Sequence, residues 1–140
     1  MIKLAEILLL EVAYPFSEPE IEYDEEDGML LRVTYLFNTS EHKYKVDILG
    51  EEIGEFNLTF GLDKGVGRAI NTRELTGEGT AMRILKTVAE IVNDFFDRFD
   101  SEVNFLRIAG STEKRTQVYK AVFPKYIDSQ YLSKIQLEPE

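Results

Sequence analysis

A chain of 140 residues with 44% hydrophobic content is long enough to bury one core and too short for two ordinary domains. Its formal charge of −10 argues against a general nucleic-acid binder, because duplex binding rests on lysines and arginines neutralising phosphates, and the lack of cysteine excludes disulfide and thiolate chemistry and fits a reducing compartment. The one histidine, His42, has no partner at metal-ligand spacing, so no metal site is expected.

Charge is divided along the chain. Residues 1–63 hold 15 acids and 4 bases, net −11, whereas residues 64–140 hold 11 acids and 12 bases, net +1. The apolar run at residues 4–12 is interrupted by Glu6 and Glu11 and is followed by no small-residue cleavage site, so it reads as neither signal peptide nor membrane span. Its lack of clean alternation suits a buried helix or strand; a short helix over residues 4–10 is favoured, and Pro15 ends the element. Residues 17–28 read as a loop. Five of the six residues from Glu22 to Asp27 are acidic, but the flanking helices and the twelfth-position carboxylate of an EF-hand are missing, so a solvated acidic turn is favoured over a calcium loop.

Three alternating stretches follow. Leu31, Val33, Tyr35 and Phe37 recur at every second position of residues 29–37. Tyr44, Val46 and Ile48 do the same in residues 42–49, and Phe56, Leu58, Phe60 and Leu62 in residues 55–62. Residues 38–41 and 50–54 supply turns, which predicts an antiparallel meander with one buried and one wet face. Residues 63–79 change character, with four glycines and no apolar run. Gly65-Val66-Gly67 lacks the further glycine of a dinucleotide fingerprint and the Gly-Lys-Ser/Thr of a P-loop, and reads as a turn.

The strongest pattern opens at Gly77. Ala81, Ile84, Leu85, Val88, Ile91, Val92, Phe95, Phe96 and Phe99 fall at three- and four-residue steps, which predicts a helix to about residue 99 that lies across the sheet. Gly77, Gly79 and Thr80 at its entry form a candidate anion-binding site, because the first amides of a helix lack partners and glycines let an anion approach them. The plainer reading is a cap from Thr76 or Thr80, with the glycines only allowing the turn. Residues 103–108 read as a more buried strand. A second helix, capped by Ser111 or Thr112, carries Arg115 and Tyr119 on one face and is bent or ended by Pro124. Residues 131–137 alternate loosely and return as an edge strand.

The expected fold is therefore one α+β domain: an antiparallel sheet of about four to five strands, with a long central helix and a shorter C-terminal helix packed on it. Two contact surfaces stand out, the acidic stretch at residues 18–27 and a basic face including Arg107, Lys114, Arg115 and Tyr119.

The succession of strands, Gly77-Glu78-Gly79, long helix, strand and tyrosine-bearing helix resembles the second half of the GNAT acetyltransferase fold. In that family a glycine-bearing loop opens the helix and holds the coenzyme A pyrophosphate, and a tyrosine on the next helix protonates the leaving thiolate. The step from Thr112 to Tyr119 matches that from the family's asparagine to its tyrosine. The resemblance implies acetyl-CoA as cofactor and Tyr119 as the catalytic residue. Against it, Glu74 stands where the loop's basic or amide residue belongs, and Arg115 replaces a small residue.

A second resemblance covers more of the chain. Thr76-Gly77-x-Gly79, a valine-rich helix, Phe105-x-x-Ile108 and Arg115-Thr-x-x-Tyr119 together resemble small proteins carried by tailed bacteriophages and prophages. That resemblance implies a soluble accessory protein of the bacterial cytoplasm or the virion, with a protein partner and no reaction. A non-catalytic binding module is accordingly the first expectation, and a degenerate acyl-CoA-binding enzyme the second.

Overall fold

The computed structural model describes residues 12–63, 68–69, 78–110 and 113–139. The predicted helix over residues 4–10 and most of the glycine-rich loop lie outside these residues. The described chain forms strands β1 (Glu20–Tyr23), β2 (Leu30–Asn38), β3 (Lys43–Glu52), β4 (Glu55–Leu62) and β5 (Arg68–Ala69), then helix α1 (Glu78–Phe99). Strand β6 (Phe105–Gly110), helix α2 (Glu113–Tyr126) and strand β7 (Ile135–Pro139) complete it, with short 3₁₀ turns at Asp100–Glu102 and Ser129–Lys134.

All seven strands join one sheet, ordered β1-β2-β3-β4-β6-β7, with the two-residue β5 paired to β4. From β1 to β4 neighbours are antiparallel, as expected for strands joined by tight turns. From β4 onward the expectation of an antiparallel sheet fails: β6 runs parallel to β4, and β7 parallel to β6. The reason lies in the connections. Each of these strands is reached through a helix that carries the chain back to the end where the previous strand began, and such a crossover can only lay down a parallel strand. The sheet is also wider than expected, because β1 arises within the stretch read as loop and β5 within the glycine-rich stretch.

The acidic run folds as the β1–β2 turn. Asp24 accepts the backbone N–H groups of Glu26 and Asp27 at 2.8 and 3.1 Å, Asp27 accepts that of Met29 at 2.9 Å, and Gly28 takes the left-handed φ of 72° that a side chain would resist. Those amides hold the Asp24 carboxyl below its ordinary value. At the next turn on the same end, Gly54 (φ 78°) offers its carbonyl to the N–H groups of Asn104 and Phe105 at 2.8 and 3.0 Å, tying the β3–β4 hairpin to the start of β6. A Cβ at Gly54 would collide with the Asn104 side chain.

The periodicity of α1 is realised as burial. Ile84, Leu85, Val88, Ala89, Ile91, Val92, Phe95, Phe96 and Phe99 are buried against Val33, Tyr35, Val46, Ile48, Phe56, Leu58 and Phe60 of the sheet. Phe95 sits at the centre, with the rings of Phe56, Phe96 and Phe99 at 5.6 to 5.7 Å. On the same face, Tyr119 of α2 meets Phe60 at 5.8 Å, and Pro124 falls inside the last turn of that helix without ending it at once. The buried polar side chains of Thr87 and Asn93 are hydrogen-bonded and act as ties. Thr87 Oγ1 donates to Arg83 O and accepts Tyr14 N–H, and Asn93 donates to Tyr126 O while accepting Asp128 N–H. Tyr35 donates to Asp94, which also holds Arg98, itself paired with Glu18.

Phe95→Ala removes a fully buried ring from this centre and should cost roughly 3 to 5 kcal/mol, a large share of an ordinary domain's stability. Urea denaturation of both proteins checks it; an unchanged midpoint would mean that the α1 stripe is not the main source of stability.

Candidate functional site

The residues singled out in the sequence do not form one surface. Gly77 lies outside the described residues, together with Glu74 and Thr76. Gly79 and Thr80 fall in the first turn of α1, which begins at Glu78. Lys114 is exposed on α2, and Arg107 is half-buried on β6, with its guanidinium 5.6 Å from the Phe105 ring centroid. Arg115 and Tyr119 are buried, at 8% and 4% exposure. They stand one helical turn apart on the packing side of α2, where Tyr119 stacks on Phe123 at 5.1 Å, so neither side chain is presented as part of a basic outer face. Burial pushes the Tyr119 phenol up, and the positive charge of Arg115 opposes the shift.

The other face of the sheet brings together side chains that lie far apart in the sequence. Each core position of β2 and β3 alternates with one that points away from the helices, and strand register places these in rows. Thr34 is opposite Asp47, Leu36 opposite Lys45, and Arg32 opposite Leu49, while on β1 Glu20 is opposite Thr34 and Glu22 opposite Arg32. The signal was present as the even positions 32, 34 and 36 and the odd positions 45, 47 and 49. A wet face, however, names no partner until register says which side chains meet.

Asp47 is the centre of this face. It accepts the Thr34 hydroxyl at 2.7 Å, and the Arg32 Nε and Lys45 Nζ atoms stand 3.7 and 3.9 Å from its two oxygens. Leu36 and Leu49 flank the cluster at 38% and 42% exposure. Toward β1 the surface sinks into a depression of about 440 Å³ between Glu20, Glu22, Arg32, Leu36, Lys45 and Asp63. This arrangement can dock charged and apolar groups. Among the described residues no group of His, Cys, Asp or Glu is placed to hold a metal, and no helix is long and apolar enough to cross a membrane.

Two tyrosines away from this face combine packing with a carboxylate hydrogen bond. Tyr131 lies against Phe96 with ring centroids 4.8 Å apart and donates to Asp97, and that hydrogen bond, with burial added, pushes its phenol up to about 12. Burial and the bond to Asp94 likewise push Tyr35 up.

The model of a family of unknown function, DUF6934, matches residues 34–135. No curated protein and no solved structure matches the chain. The matched span runs from the middle of β2 to the first residue of β7, and so takes in the core face and both helices.

Tyr119 and Tyr131 are both held above the ordinary 10.0, so the folded state retains their protons more tightly than the unfolded state does. Their contribution is complete below about pH 10 and is lost as pH rises through the folded values. Ultraviolet titration should show Tyr131 ionising near 12, lowered by Asp97→Asn, and Tyr119 moving further up in Arg115→Met. A Tyr119 that shifted down in that variant would contradict the placement of Arg115.

Proposed function

The chain belongs to the DUF6934 family, and from that premise we propose that it is a non-catalytic interaction protein whose partner docks on the helix-free side of β1 to β4. The observation that carries the proposal is the composition of that side. Two exposed leucines sit beside a charge cluster on a rigid sheet, an apolar anchor with a polar surround of the kind that protein interfaces use. Catalysis needs a positioned acid, base or nucleophile that a substrate can reach. Tyr119, the residue considered for that role, is packed between Phe60 and Phe123.

The phage or prophage origin implied by the motif resemblance belongs to the same proposal, which makes the protein an accessory factor of the bacterial cytoplasm or the virion. Acetyl-CoA, the cofactor of the second reading, is the natural control ligand.

The test is affinity capture from a bacterial extract with the wild type and with a Leu36→Arg/Leu49→Arg double variant. Both positions are exposed, but each new arginine faces a cation across the strand, Lys45 or Arg32, so each change should cost up to about 1 kcal/mol, short of unfolding an ordinary domain. The expected result is a protein retained by the wild type and lost by the variant; equal retention would remove this face from the interaction. A thermal-shift measurement with acetyl-CoA covers the alternative, since a true ligand at one hundred times its Kd adds about 2.7 kcal/mol. No shift is expected, and a shift of that size would replace this reading with the acyl-CoA one.

A further inference from the structure

Charge on the helix-free side is uneven in a way that specifies the partner. Arg32 and Lys45 share the single carboxylate of Asp47, and Arg32 also stands opposite Glu22, so these two cations offset part of the acidity. With Glu20, Glu22 and Asp63 counted, four acids and two bases leave a net −2. Glu20, Glu22 and Asp63 line the adjoining depression, and among the described residues none of the three takes part in an ion pair. The surroundings add to the imbalance, because residues 12–63 hold 13 acids and 3 bases.

Resting on the docking role given above to this face, we propose that its partner presents an extended, lysine- or arginine-bearing protein segment, which lies along the depression with cations at alternate residues meeting Glu20 and Glu22. Three features favour such a segment. Glu20 and Glu22 are two residues apart on one strand and share a face through their pairing with Thr34 and Arg32, which spaces them by roughly 6.6 to 6.8 Å. That is the repeat of every second side chain in an extended chain laid alongside. Leu36 on the wall of the depression offers apolar surface for the methylene stems of long cationic side chains. The surrounding negative field attracts and orients a basic segment before contact, an effect that salt screens over about 8 Å at physiological ionic strength.

Fluorescence anisotropy with two labelled peptides of equal composition tests the proposal, one alternating lysine with threonine and one with its lysines in a block. The alternating peptide should bind the wild type more tightly than the blocked one. A Glu20→Gln/Glu22→Gln double variant should weaken it roughly fivefold or more, by the loss of two charge contacts. Glu51→Gln/Glu52→Gln, which removes the same charge from the β3–β4 end, should leave binding unchanged. Equal weakening by the two double variants would reduce the effect to general attraction and overturn the inference, as would equal binding of the two peptides. A partner captured from extract that is lost with Leu36→Arg/Leu49→Arg but kept by Glu20→Gln/Glu22→Gln would leave the docking face standing and remove the cationic segment.

Discussion

The direction in which strands are added to the sheet governs the rest of this structure. After β4 the chain lays down β6 and then β7, each outward of the last and each parallel to it. Successive crossovers of one hand moving in one direction must leave their helices on the same side. Accordingly α1 and α2 share a layer, with Phe95 against Phe56 and Tyr119 against Phe60, and among the described residues no helix covers the other side of β1 to β4. The bare face thus follows from topology together with the burial of the α1 stripe.

That face must then be stable in water without a cover. Polar side chains at alternate positions achieve this, and Thr34 shows how closely they are fitted, since it is buried by its neighbours while its hydroxyl is satisfied by Asp47. Helix α1 meanwhile holds more than the sheet. Arg83 Nε donates to Val12 O and its guanidinium lies 3.9 Å from the Tyr14 ring centroid, while Arg98 reaches Glu18, so the segment ahead of β1 is clasped at both ends of the helix.

The core was legible in the sequence because its signals are local. The 3.6-residue recurrence from Ile84 to Phe99 and the alternation through Val33, Tyr35, Val46, Phe56 and Phe60 each need only a dozen residues to be read, and all of these side chains are buried. Strand direction was not legible, since nothing within residues 105–110 or 135–139 differs between parallel and antiparallel pairing; the helical crossovers decide it. Strand β1 was missed because Glu20 to Tyr23 are all exposed and lack the half-buried alternation that marks a strand. The cluster on the uncovered face was hidden for a related reason. Thr34 and Asp47 are thirteen residues apart, and only the register of the hairpin makes them one cluster.

The outermost strands bear on how copies of this protein behave when concentrated. The free side of a terminal strand is a row of backbone donors and acceptors on which another sheet can grow into a fibre. Here β1 is four residues long, follows Pro19, loses its regular register with β2 after Glu22, and carries glutamates that would face their own counterparts in any head-on approach. At the opposite margin β7 closes on Pro139, which has no N–H to give. A sheet with one broad uncovered face is in this way guarded against edge-to-edge growth.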